Sequence, residues 1–437
     1  MCDKTEPKGC IISPGPGCCN FYLPHKRRHC KFPPPAGEKF CVQHLPTDNS
    51  GQSELKGMKR VVCPLDPNHS VYEYKLSSHL KKCNSKKSPN RPFYKDGVNS
   101  GSSKDGEPVS VSLSEVDVDF LKQLVDKIRQ VYQIVEYIRL EERLEEHEAL
   151  KEELVNELHQ KCLKHRKQEA SLLGNMERAG WLTDGTTFIE FGAGRARLTS
   201  YLLGTISNQR NSSVLLIDRG TTRNKSENKH KYVEGGPSFE RLRIDIKDLM
   251  LEEHHVLKGV DRDIVAYSKH LCGSATDLTL RCLERVMRAT STEKAESKKP
   301  RLNQPHKYIF SVKGIQIALC CHHKCTWTAY AGKEFWLEQQ LTPDDFIITK
   351  TLSSWATCAF PDRNAEEHTA HADSDTLNRF SFWTSEEREN IGLMSKRIID
   401  IGREHHLKTL GYKTNLVIYV KKETSLENIM LVARPID

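Results

Sequence analysis

The sequence predicts an α/β protein with a Rossmann-like sheet closed by a C-terminal β-hairpin, preceded by two small zinc fingers and a helical connector. Three observations carry that reading. Short apolar strands alternate with helical stretches from about residue 166 to the end, the pattern of an α/β domain. A glycine turn, Gly192-Ala-Gly194, follows directly on the apolar strand Thr186-Thr-Phe-Ile-Glu-Phe191. Eight of the 15 cysteines fall within the first 83 residues, often near histidines, in a stretch too short of apolar runs to fold around burial alone.

Composition bounds the rest. The chain has 437 residues, enough for two or more domains, with 28% charged and 37% hydrophobic residues. Mean hydropathy is −0.60. No apolar run reaches the roughly 18 residues of a membrane span. The N-terminal MCDKTEPKGC lacks the apolar core of a signal peptide, so a reducing, intracellular setting is expected, with nucleus and cytoplasm undecided. In that setting cysteines serve metals or plain burial rather than disulfides. A net charge of +8 permits a polyanionic partner, and a solvated basic surface accounts for it equally.

Five segments follow in order. Residues 15–48 and 58–86 read as a CCCH and a CHHC finger. Residues 87–112, rich in Gly, Ser, Pro and Asn, read as a flexible linker. Residues 113–165 read as helical: Leu121, Leu124, Ile128, Val131, Val135 and Ile138 step by threes and fours, an amphipathic helix or short coiled coil. The acidic run EERLEEHEALKEEL beyond them fits a solvated helix face. Residues 166–437 form the α/β domain.

Cys63, His69, His79 and Cys83 are separated by five, nine and three residues, and LSSHLKKC places His79 and Cys83 on one helix face. Two thiolates and two imidazoles suit a closed tetrahedral zinc site, structural because no position stays open for water. Cys19, Cys30, Cys41 and His44 form a second set, with gaps of ten, ten and two residues. Cys18 competes with Cys19. The segment FYLPHKRRHCKF interleaves aromatics with cations, as an RNA-facing finger would; the same residues also suit a small core and its rim.

The glycine turn opens a helix near Arg195, so a cofactor can approach the backbone there. A dinucleotide fingerprint would place Gly at 197, where Arg197 stands. The Glu190-x-Gly192-x-Gly194 form instead resembles motif I of class I S-adenosylmethionine-dependent methyltransferases, with Ala196 in place of that family's third glycine. The strand Ser213-Val-Leu-Leu-Ile-Asp218 ends in an acid placed to accept ribose hydroxyls. Asp245, at the end of another strand, is placed to meet an adenine amine. The strands 415–420 and 429–434, joined without a helix, suggest the closing antiparallel hairpin.

SKHLCGSATDLTLRCL (268–283), ALCCHHKCTW (318–327) and SSWATC (353–358) resemble the eukaryotic tRNA 2′-O-methyltransferases that act at position four of the acceptor stem. The order and spacing of the two fingers resemble that family's pair, and a CHHC module also occurs in a minor-spliceosome protein. The resemblance covers residues 19–83 and about 166–435, leaving aside 85–160 and insertions near 288–306 and 361–378. It implies methyl transfer from S-adenosylmethionine to a ribose 2′-hydroxyl of tRNAs including those for glycine, histidine and proline. Two structural zinc ions are expected, with no membrane and no obligate protein partner evident. The competing reading is a non-catalytic RNA-binding or spliceosome-associated protein that retains the fold.

A ribose hydroxyl is a weak nucleophile and needs alignment and help with its proton. Lys269 and His270, at the end of the fourth strand, are the candidates: Lys269 through its charge or as a base, His270 as a proton acceptor. His322, or His323 beside it, is expected to position substrate, with buried cysteines around it. A metal at Cys320–Cys325 and a methylated cysteine are the lesser readings, because neighbours on a strand point to opposite faces. Ser268-Lys-His-Leu stands where an adenine-N6 enzyme would carry an Asn-Pro-Pro-Phe-like turn.

Overall fold

The computed structural model describes residues 18–23, 28–29, 32–34, 39–41, 53–55, 58–81, 83, 91–101, 106–109, 111–135, 140–155, 162–220, 222, 225–231, 233–258, 262–296, 310–358 and 380–436. They divide into a small unit within residues 1–88 and a large one from residue 89 onward.

The small unit has two parts. Strands Tyr22–Leu23 and Arg28–His29 pair antiparallel beside the buried Cys19 and Cys41. Strands Ser53–Leu55, Met58–Cys63 and Asp66–Tyr72 form an antiparallel meander that leads into the helix Leu76–Leu80. The apolar content is thin, and cysteines occupy its most buried positions.

In the large unit an eight-stranded sheet is built from β1 (Glu141–Glu142), β2 (Thr186–Phe191), β3 (Ser213–Asp218), β4 (Ser238–Arg243), β5 (Arg262–Cys272), β6 (Phe310–Cys320), β7 (Tyr412–Ile418) and β8 (Ile429–Pro435). Their spatial order is β1-β7-β8-β6-β5-β2-β3-β4. The run β6-β5-β2-β3-β4 is parallel, and β8 inserts antiparallel between β6 and β7. This is the Rossmann-like sheet closed by a C-terminal hairpin that the sequence predicts.

Both faces are covered, which explains why β2 is buried from end to end. Alternate residues supply the two layers. Ile189, Phe191, Ile264 and Ala266 belong to the layer of α4 (Ser274–Glu296) and α6 (Ser385–Thr409), with α1 (Val118–Val135) and α5 (Pro343–Leu352) packed on α6. Phe188, Val265 and Tyr267 pack under α2 (Leu163–Arg178) and α3 (Arg197–Thr205). Thr384 starts α6 with a reciprocal cap: its hydroxyl accepts from the Glu387 amide, and the Glu387 carboxylate accepts from the Thr384 amide. Among the described residues no helix is long and apolar enough to cross a membrane.

Two expectations are corrected. Residues 91–101 do not behave as a free linker: Asn99 is 1% exposed and its side-chain amide donates to the carbonyls of Ile246 (2.7 Å) and Leu249 (2.8 Å). Glu107 accepts from the amides of Trp327 and Thr328, each at 2.7 Å. The segment is polar because it satisfies backbone groups of its own domain. Nor, among the described residues of 113–165, does a coiled coil form; the amphipathic helix that the spacing favours runs over Val118–Val135. The apolar stripe of α1 is spent on α6 of the same domain, burying Leu121, Leu124, Val125 and Ile128. The acidic run beyond it is no continuous helix, since Glu141–Glu142 pairs with Val417–Ile418 as the sheet's edge strand. Val135 carries no described side chain, and Ile138 lies outside the described residues.

Leu124→Ala, which opens a cavity between α1 and α6, is expected to cost about 2–5 kcal/mol. Thermal unfolding should register it, with no change of oligomeric state by light scattering.

Candidate active site

β2 stops at Phe191 and the chain turns through Gly192 (φ 68°) and Gly194 (φ 49°) before α3 begins at Arg197. A side chain at 192 would also come within 3.2 Å of the His270 carbonyl and Leu271, so the position requires glycine twice over. Ala196 adopts the left-handed conformation as well (φ 52°), which explains why the related motif places glycine there. Asp218, at the end of β3, fastens the turn: its carboxylate accepts from the Gly194 and Gly220 amides, each at 2.7 Å. Asp245 caps the following turn through the Lys247 amide at 3.1 Å.

A cavity of about 620 Å³ opens at the strand ends, where the order reverses between β2 and β5. Gly192, Asp218 and Asp245 line it together with Ile217, Ile244 and Leu271. Two carboxylates facing an apolar slot fit an adenosine-bearing cofactor: the acids suit ribose and amine donors, and the aliphatic walls suit a flat purine. A second cavity of about 210 Å³ adjoins it and shares Gly192 and His270.

Glu190 lines the smaller cavity, not the larger one. It is 4% exposed, accepts a short hydrogen bond from Thr199, and burial raises its pKa to about 8. Thr199 also meets the Tyr267 hydroxyl at 2.6 Å.

Lys269 and His270 sit in a bulge of β5, where Ser268 pairs with Ile317 but Leu271 pairs with Leu319. The extra residue lets the two side chains diverge. Lys269 is buried, donating to Glu169 at 2.8 Å and to the His165 carbonyl at 3.2 Å. Burial lowers its pKa while Glu169 opposes the shift. His270 reaches the rim of both cavities. Desolvation, then the charges of Lys269 and His165, bring its pKa down to about 4, leaving a neutral imidazole at physiological pH.

The expectation that His322 positions substrate is corrected. It is 2% exposed and its Nε2 lies 2.7 Å from Asp400. Asp400 is bound by Arg403 (3.0 Å), and Arg403 pairs with Asp277 (2.8 Å) and donates to Cys325 (3.1 Å). His322 thus belongs to a buried network that ties the loop after β6 to α4 and α6. The strand's alternation fails to describe this loop because Cys321 leaves β6 in a left-handed conformation (φ 51°).

Sequence reasoning missed His165, Glu169 and Arg197. Glu169 is 1% exposed and draws together Lys269, Arg166 (2.9 Å) and Arg197 (3.5 Å). The His165 ring lies edge-on to His270 at 6.1 Å. The one available signal was a glutamate set where α2 turns apolar, and nothing local linked it to a lysine a hundred residues on.

Of the finger ligands, Cys63, His79 and Cys83 converge, with Cys63 Sγ 3.8 Å from Cys83 Sγ and 3.2 Å from His79 Nε2. Two sulfurs and an imidazole nitrogen at these spacings fit a tetrahedral metal. His69 is described by its backbone alone. In the first finger Cys19 and Cys41 share one small buried cluster, and the Phe21 amide donates to Cys19 Sγ at 3.4 Å. Cys30 and His44 lie outside the described residues.

Cys83→Ser is expected to release one equivalent of zinc and unfold the second finger while the large unit melts as before, read by metal analysis and calorimetry. Glu190 gives a pH signature. Its folded pKa is raised from 4.5 to about 8, so its stabilising contribution is full below the lower value and lost as pH climbs through the higher one. Between about pH 5 and pH 9 the melting temperature should fall with a component that Glu190→Gln abolishes.

Residues 167–434 match the family model described as Methyltransferase TRM13. Residues 60–84 match the U11-48K-like CHHC zinc finger, and residues 17–45 the CCCH zinc finger in TRM13 protein. The mouse protein named tRNA:m(4)X modification enzyme TRM13 homolog is 34% identical, over 96% of this chain and 94% of its own length. The human homologue of that name is 33% identical over 97% and 95%. The Saccharomyces cerevisiae enzyme TRM13 is 30% identical over 95% of each chain. The chain therefore belongs to the TRM13 methyltransferase family, with S-adenosylmethionine as methyl donor and zinc in its fingers.

Proposed function

We propose that the protein methylates the ribose 2′-hydroxyl of nucleotide four in the acceptor stem of tRNA, in the glycine, histidine and proline tRNAs among others. The observation that carries the reading is His270, a neutral imidazole at the junction of two cavities, one suited to adenosine and one lined by charge. The relatives' names supply tRNA and the number four.

In this reading Asp218 and Asp245 hold the adenosine end of the cofactor in the larger cavity. The smaller cavity, with Glu169, Glu190, Arg197 and Lys269 in its wall, receives the charged amino-acid end. The bound cofactor supplies an electrophilic methyl group at the junction. The His270 imidazole would take the hydroxyl proton as the 2′-oxygen bonds the methyl carbon and the carbon–sulfur bond breaks, its electron pair staying on a neutral thioether that leaves. Lys269 is a positioning residue: held by Glu169 and the His165 carbonyl, it stays in the bulge and fixes the direction of His270. Residues 15–48 and 58–86 act as fingers that grip the stem.

The test is transfer of labelled methyl groups to unmodified tRNA, with the labelled nucleotide mapped. Label on the 2′-oxygen of nucleotide four is the expected result; label on a base or on another ribose overturns the assignment. His270→Ala should lower kcat by about 10²–10⁴ and keep cofactor affinity. Asp218→Ala should weaken cofactor binding by calorimetry, by the roughly 1.5–3 kcal/mol of a hydrogen bond to a charged group.

A further inference from the structure

Outside the fingers a second set of sulfurs converges. Cys272 ends β5, Cys320 ends β6, and Cys321 follows it; their Sγ atoms all lie within 4.8 Å of one another, with Cys272 and Cys320 at 3.4 Å. The sequence alone argues against this meeting, because neighbours on a strand face opposite ways. Two local departures produce it. The bulge at Lys269–His270 shifts the alternation of β5, so Leu271 joins the layer of Ile264 and Ala266 and Cys272 falls beside Cys320. Cys321 then leaves the strand at φ 51° and returns its side chain to the same spot. A left-handed backbone is strained in a residue other than glycine, so it persists where its surroundings hold it.

We propose that Cys272, Cys320 and Cys321 form a three-thiolate zinc site at the edge of the cofactor cavity, distinct from the two fingers. A zinc ion with sulfur ligands at about 2.3 Å holds them about 3.8 Å apart in a tetrahedron, a spacing that small side-chain movements reach from the present one. Three sulfurs exceed what a disulfide needs and match what a metal needs. Cys320 is 8% exposed, Cys321 half-buried and Cys272 exposed, so the ion has an entry path. The Lys324 ammonium lies close enough to offset part of the charge of the thiolates. Binding releases thiol protons to solvent and leaves the fourth position to a water or another donor. Because Cys272 lines the larger cavity, the ion would brace the wall against which the cofactor sits.

The experiment compares metal content by mass spectrometry in the full-length protein and in Cys320→Ser and Cys321→Ser. The expected result is one zinc equivalent fewer in each variant than in the parent, whatever the finger occupancy, with the circular dichroism spectrum kept. Equal zinc in parent and variants overturns the proposal. Should a variant fail to fold, native alkylation of the parent decides instead. Protection of these three thiols that a chelator removes supports the site. Equal labelling with and without chelator overturns it, as does a Cys272–Cys320 disulfide in freshly purified protein.

Discussion

Helices seal both faces of the sheet, and most of what is distinctive in the large unit follows from that constraint. A doubly covered parallel sheet cannot place polar chemistry on its faces, and β2 and β3 are accordingly almost wholly buried. In the central strands β2 and β3 the carboxylates stand at or next to the strand ends, Glu190 and Asp218. The reversal of order between β2 and β5 separates the flanking loops there and leaves a crevice between them. Asp218, Asp245, Gly192 and His270 meet in that crevice although they come from four different strand–loop junctions.

The charged groups near the crevice divide by their surroundings. Lys269 is paired with Glu169 at 2.8 Å inside the domain, and removing either partner would strand the other. Among the described residues its neighbour His270 has no such carboxylate anchor, and it faces the cavities. One residue is therefore held by the protein and the next is presented to a ligand. Across the domain, Arg403 performs a comparable service for the loop after β6, binding Asp277 and Asp400 while Asp400 holds His322. Two buried ionic groups thus flank the cofactor region on opposite layers of the sheet, and both connect a helix to a strand end.

What the sequence revealed was local. The glycine turn and Asp218 were legible because strand, turn and helix follow one another within a few dozen residues, each with its own period. Cys63, His79 and Cys83 were legible because their spacing spans a hairpin and one helical turn. Glu169 and His165 were not, since their partners lie about a hundred residues along the chain and only the packing of α2 on the sheet unites them. Residues 91–101 misled for the opposite reason: a polar composition that usually marks solvent here marks buried backbone carbonyls at 246–249. His322 misled because alternation along a strand says nothing once the backbone leaves it at Cys321.

The bulge in β5 makes chain length as informative as residue identity in this stretch. Before it, even-numbered residues such as Ile264 and Ala266 face one layer; after it, odd-numbered Leu271 does. A substitution at Lys269 or His270 alters one side chain and leaves that phase alone. Loss of a single residue would instead flatten the bulge: Leu271 and Cys272 would keep Leu319 and Cys320 as neighbours, and the divergence of the two side chains between them would be lost. A deletion here therefore spares the sheet and strikes the cavity, because the strand would no longer turn one side chain inward to Glu169 and the next outward to a ligand.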